Sequence, residues 1–296
     1  MEKKLGKILI ISDVHAKIPE MTDFFYQVDK KENIDFAVHL GDFWSGRNFD
    51  PNLKTQVKNE WNDLTYFEKF PFPLYHLRGN EDLTQPDNWW NFPKMYLMKD
   101  QQPFYLNDWK VLPIDYQYQG EEDDTNPKHP EFSRDDGFDI ILSHRPPYGL
   151  LDDTLHFKTH QKLSKTGSPM VRKYYDQLCP SLMIFGHFHY SNFMKTSCGL
   201  IVCIDKLIRI GGKNHSEFRY SYALLDPFDQ SLEVIWKNHL FLRYSIMEQK
   251  ILVANPLDSR NLYKPKHHLF RRRKKDNENI KEFEEDDEDF DLEEEN

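Results

Sequence analysis

The sequence predicts an α/β protein in which short buried strands carry polar side chains to one edge of a central sheet. Two observations lead there. The run Ile8-Leu9-Ile10-Ile11, β-branched at three of four positions, breaks into Ser12-Asp13-Val14-His15, and such a run is the pattern of a strand buried on both faces. The same grammar then recurs in Val38-His39-Leu40-Gly41-Asp42, Leu74-Tyr75-His76-Leu77-Arg78-Gly79-Asn80-Glu81-Asp82, Ile140-Ile141-Leu142-Ser143-His144 and Met183-Ile184-Phe185-Gly186-His187-Phe188-His189. Open α/β sheets place their ligands at the carboxyl ends of strands, where the departing loops converge.

Taken in order, Pro19 opens a helix running to Lys31, with Met21, Phe24, Phe25 and Val28 at helical spacing and Asn33 as its stop. Strand Ile34 to Leu40 completes a βαβ unit, and a right-handed crossover sets Asp42 beside Asp13. A longer amphipathic helix is expected over Asn52 to Phe70, ended by Pro71 and Pro73, and a third strand over Leu74 to Leu77. The aromatic stretch Trp89, Trp90, Phe92, Phe104, Tyr105 and Trp109 reads as core or, in the alternative, a lip of the crevice, Trp109 to Tyr116 as a strand, and Glu121 to Asp136 as a surface loop or insertion. After strand Phe138 to Ser143, Ser168 caps a helix with Pro169 in its first position, reaching Leu178. Beyond His189, stretches Leu200 to Ile204, Lys206 to Ile210, Tyr220 to Leu225 and Leu232 to Trp236 lie at hairpin spacing and predict an antiparallel or mixed sheet.

The net charge of −10 is unevenly spread: 264–275 carries +7, 276–296 carries −12, and about −5 is left for the remainder. A mildly acidic body argues against a broad basic face for nucleic acid. The expectation is one domain over 1–250 followed by a basic, then acidic, tail over 251–296 that is too polar to fold and reads as a solubilising segment, with docking of a protein partner or an anionic polymer as the alternative. Oligomeric state is not legible. Cys179, Cys198 and Cys203 are odd in number and widely spaced, which predicts neither a disulfide framework nor a CxxC zinc site and favours a reducing compartment. No stretch approaches the ~20 apolar residues of a membrane span, so a cytoplasmic protein without membrane contact is expected.

Asp13, His15, Asp42, Asn80, His144, His187 and His189 form a mixed oxygen and nitrogen donor set without thiolate. Such donors suit Mn, Fe, Zn or Ni better than Mg or Ca. Seven are too many for one ion but enough for two ions sharing a carboxylate, ~3.5–4 Å apart. His39 and His76 fall inside strands and read as core or supporting groups. Trp44, Asn48 and Tyr148 are candidates for the rim, while Arg78 and Arg145 are either phosphate contacts or ion-pair partners.

The order Asp13-x-His15, Gly41-Asp42, Gly79-Asn80, His144, Gly186-His187-x-His189 resembles the calcineurin-like metallophosphoesterases over roughly residues 7–225, and most of all the small stand-alone phosphoesterases. The resemblance implies two mixed β-sheets packed as a sandwich and flanked by helices. It further implies one metal on Asp13, His15 and His189, a second on Asn80, His144 and His187, and Asp42 bridging. Manganese is favoured as the divalent ion, and the implied reaction is attack of a metal-activated hydroxide on a phosphoester, with nucleotides among the candidate substrates.

The family usually has His directly after this Asn; here Glu81 stands there, followed by Asp82. That change shifts the expectation from monoesters to phosphodiesters, with Glu81, Asp82 and Arg145 as candidate catalytic residues bearing on rate and substrate choice. The alternative is a catalytically weak or inactive scaffold on this fold, serving protein assembly. Retention of all seven donors favours the enzyme.

Overall fold

A computed structural model describes residues 6–44, 65–82, 92–116, 130–152, 167–211 and 217–255. Strand β1 (Lys7–Ile11) enters helix α1 (Ile18–Glu32), which returns to β2 (Ile34–His39). Pro19 sits in the first turn of α1, where no amide is missed, and Asn33 ends the helix in a left-handed conformation with φ of 51°. A short helix α2 (Thr65–Glu68), β3 (Leu74–His76) and β4 (Met95–Leu97) follow. Next come β5 (Phe104–Leu106), β6 (Trp109–Ile114), β7 (Ile140–Ser143), α3 (Pro169–Leu178), β8 (Leu182–Phe185), β9 (Asn192–Lys195) and β10 (Leu200–Cys203). The chain closes with β11 (Ile208–Gly211), β12 (Glu217–Tyr220), β13 (Tyr222–Asp226), β14 (Ser231–Trp236), β15 (His239–Ser245) and β16 (Lys250–Ala254).

Two mixed sheets result, one in the order β16-β15-β14-β13-β1-β2-β3-β4 and the other β5-β6-β7-β8-β10-β9, with β11-β12 a separate hairpin. Strand alternation explains how they stack. Ile8 and Ile10 of β1 join Val38, Val111, Ile140, Leu142, Ile184 and Val202 in the core between the sheets. Leu9 and Ile11 point the other way, onto Met21, Phe24, Phe25 and Val28 of α1. On the far side Ile141, Met183 and Ile201 meet Met170, Val171, Tyr174 and Leu178 of α3. The order of layers is therefore helix, sheet, sheet, helix. In α3 the Ser168 hydroxyl accepts the Val171 amide at 3.3 Å, as an N-cap should.

Several expectations need correcting. Cys179 and Cys198 form a disulfide; the odd count hid a pair brought together by the end of α3 and the β9-β10 turn, and Cys203 is left buried and free. Tyr220 to Leu225 divides into β12 and β13 rather than running as one strand. Strands β4, β5, β9, β15 and β16 were not expected, and β16 crosses the anticipated boundary at residue 250. Asn48, residues 52–64 of the expected long helix, the loop at 121–129 and the tail from 256 lie outside the described residues.

Candidate metal centre

The loops leaving β1 and β2 are zipped together by backbone hydrogen bonds: the Asp13 amide donates to Gly41 O at 3.0 Å, His15 to Asp42 O at 3.1 Å and Ala16 to Phe43 O at 2.8 Å. The loops after β7 and β8 are joined likewise, Gly186 N to His144 O at 3.1 Å. These contacts gather the predicted donors into two groups. Asp13, His15, Asp42 and His189 form one and Asp42, His144 and His187 the other, with the ligand atoms of each group within 4.8 Å of one another. Asn80 joins the second group through its Oδ1, 3.0 Å from His144 Nε2. Asp42 belongs to both.

Within the first group His189 Nε2 lies 3.2 Å from Asp13 Oδ1 and 2.9 Å from His15 Nε2. Within the second, His144 Nε2 lies 3.4 Å from Asp42 Oδ2 and 3.2 Å from His187 Nδ1. The Nδ1–H of His144 donates to Leu40 O at 2.9 Å, which directs Nε2 toward the cluster. Ser12 Oγ donates to Asp13 Oδ2, and the His187 amide donates to the same oxygen at 3.0 Å.

Three glycines keep this space clear. A Cβ on Gly41 would stand 2.5 Å from His144 Nδ1, one on Gly79 2.1 Å from Asp42 Oδ1, and one on Gly186 1.8 Å from Ser12 Oγ. Gly41 also has φ of 109°, open mainly to glycine.

The buried carboxylates and imidazoles of the cluster shift one another in opposite directions. Burial alone would push Asp13 up, but the hydrogen bond and charge of His189 hold its carboxyl well below the usual range. Burial would lower His144, yet Asp42 and Asp13 push it up to about 9, while burial and the charge of His144 hold His187 down to about 3. An imidazole drawn toward its cationic form between two buried carboxylates marks a position that a metal ion fits. With one amide oxygen, carboxylates and four imidazoles, the donor set suits two borderline divalent ions.

The remaining candidates are placed as follows. The half-buried Glu81 donates its amide to Asp42 Oδ1 at 2.9 Å and accepts Asn80 Nδ2 at 3.0 Å through its carboxylate. Asp82 does not face the site. It is 1% exposed, accepts the amides of Phe43, Trp44 and Gly79 at 3.2, 2.9 and 2.8 Å, and lies 3.6 Å from His76 Nε2. It thus fastens the turns that carry Asp42 and Asn80. The Arg145 guanidinium lies 5.7 Å from the ring centroid of Tyr116, whose edge meets His144 at 5.8 Å, so Arg145 borders the second group. Arg78 is spent on Asp115, with contacts of 2.8 and 2.7 Å. Trp44 is a core residue packed on Phe43 and Phe92, not a rim residue, whereas Tyr148 is exposed. His39 and His76 are buried behind the site with their Nδ1 atoms 3.0 Å apart. The supporting role of Ser12 was missed in the sequence, although its place beside Asp13 was the available signal.

A family model described as calcineurin-like phosphoesterase matches residues 6–191. No curated protein matches the chain. Among solved structures, a dimetal phosphatase from Danio rerio is similar with a TM-score of 0.51 and 12% identity, covering 78% of this chain and 96% of its own. An archaeal phosphodiesterase is similar at a TM-score of 0.41 and 15% identity, covering 78% and 99%. Vacuolar protein sorting 29 from Cryptosporidium parvum is similar at 0.36 and 13%, covering 84% and 96%.

Proposed function

Because the chain belongs to the calcineurin-like phosphoesterase family, we propose that it is a hydrolase of phosphoesters that works with two divalent transition-metal ions, manganese being favoured, and that it prefers diesters to monoesters. The observation that carries the two-ion reading is the membership of one buried carboxylate, Asp42, in both donor groups. Two ions held there would supply an activated water and neutralise charge on the phosphoryl group.

The chain's own residues do the rest. Asp13, His15 and His189 would hold one ion, Asn80, His144 and His187 the other, and Asp42 would be shared between them. Asn80 offers an oxygen without further negative charge. Arg145, bordering the second group, is the cation placed to bind a phosphate oxygen and orient the ester. Glu81 brings a carboxylate where the family usually has an imidazole, so the chain offers no histidine proton to a leaving group at that point. Its negative charge opposes a dianionic monoester more than a monoanionic diester, and a nucleotide diester is a suitable substrate class to screen. The test is elemental analysis of the purified protein with paired assays on bis-p-nitrophenyl phosphate and p-nitrophenyl phosphate in Mn²⁺. Two ions per chain and faster diester turnover are expected; less than one ion with no turnover of either ester would sink the reading and favour a scaffold.

A further inference from the structure

His189 is the last donor of its loop, and its ring reaches Asp13 and His15 from a backbone with φ of 52°. Its peptide plane is fixed from outside the donor set, because its carbonyl accepts a hydrogen bond from Arg209 Nη2. Arg209 lies in β11, and Asp205, at the exit of β10, orients it through a two-pronged contact: Nε to Oδ2 and Nη2 to Oδ1, each at 2.8 Å. The Asp205 carboxylate is fully buried and is completed by the Lys206 amide and Trp236 Nε1, both at 2.8 Å. Trp236 ends β14 of the larger sheet. One guanidinium therefore ties the His189 loop to a carboxylate anchored on both sheets. The His144 carbonyl, by contrast, accepts the Gly186 amide at the edge of the smaller sheet.

We propose that Arg209, aligned by Asp205, is a positioning residue that sets His189 on Asp13 and His15 and so governs metal affinity at that position of the pair and not at the other. The inference rests on the two-ion reading above. A planar fork bound at two points to a buried carboxylate has one orientation, so its remaining donor direction, and with it the His189 carbonyl, is fixed; a lysine ammonium would keep the charge without the alignment. Partners outside the ligand set typically change metal affinity by ~10–100-fold when removed.

The experiment is titration of the full-length chain with Mn²⁺, followed by electron paramagnetic resonance and by metal counting after gel filtration. Wild type is expected to fill both positions and give an exchange-coupled signal. At the same Mn²⁺, Arg209→Ala should retain one tightly held ion with an uncoupled six-line signal, its second affinity lowered ~10–100-fold. Arg209→Lys should fall between the two, and Arg243→Ala, which breaks a surface pair with Glu233, should match wild type. If Arg209→Ala lacks a cooperative melt, Arg209→Lys carries the test alone. Two ions at unchanged affinity in the folded Arg209 variant overturn the proposal, as does equal weakening of both positions. A wild-type chain that never binds a second ion overturns the two-ion reading itself, and the proposal with it.

Discussion

A carboxylate shared by two cations is more exposed to substitution than one that serves a single ion. Asp42→Asn removes the shared negative charge and one of the two equivalent oxygens. Both affinities should fall together and activity should drop by roughly a hundredfold or more, the scale of several kcal/mol lost from charge stabilisation. Full metal occupancy with full activity would refute the bridge. Glu81 acts differently, since its carboxylate holds the Asn80 amide so that Oδ1 is left for the second group. Glu81→Gln keeps an acceptor and removes charge, so the monoester-to-diester ratio of kcat/KM should rise with metal affinity kept. Glu81→Ala should in addition lose ~10–100-fold in metal affinity. An unchanged ratio in both variants would show that Glu81 has no part in substrate choice. The seven donors were legible because each closes an apolar run within a short motif. The positions of Asp82 and Arg209 were not, because their roles depend on which backbone atoms a later turn brings to them.

At the level of elements, one polar seam joins the two sheets. Arg78 leaves β3, Asp115 leaves β6, and Asp100 sits between β4 and β5 with its Oδ1 accepting the Asp115 amide at 2.7 Å. Burial pushes Asp100 up to about 7, the Asp115 amide pulling against it, from an ordinary 3.8. A carboxyl raised on folding contributes stability that is present below pH ~4 and lost as pH rises through ~7. Asp100→Asn should therefore melt with wild type near pH 4 and above it at pH 8, by about 2–4 °C for each kcal/mol in a domain of this size. Equal melting at both pH values would place the Asp100 carboxyl in water. Helices α1 and α3 were readable from their caps and prolines, whereas β4, β5 and β9, three or four residues each, have too little pattern to stand out. The Cys179–Cys198 pair was unreadable for a related reason, since it joins a helix end to a turn that only the folded sheet brings near.

For the whole molecule, the larger sheet continues beyond the point at which composition turns polar. β16 pairs with β15, and Asn255 then caps it, its amide donating to Phe241 O at 2.9 Å and its Nδ2 to Leu240 O at 2.7 Å. A chain ending at residue 263 should melt like the full protein. One ending at 249 loses an edge strand and should melt at least about 2–4 °C lower, measurable by calorimetry. A lower melt for the 263 variant as well would mean that the charged segment contributes to the fold.

Asp13, His15, Asp42, His187 and His189 all take left-handed backbone angles, with φ between 47° and 73°. None is glycine, so each carries a conformational cost of order 1 kcal/mol, and that cost falls on the residues that make up the donor set. An ion that binds only this arrangement adds about 1.4 kcal/mol of stability for each tenfold rise in its free concentration above Kd. The midpoint of thermal unfolding should climb by a few degrees per decade of Mn²⁺ and stay flat in Asp42→Asn. Under the two-ion reading, the supply of the ion would then set how much intact protein survives proteolysis, so that the quantity of the protein, as well as its turnover, would follow the ion's availability.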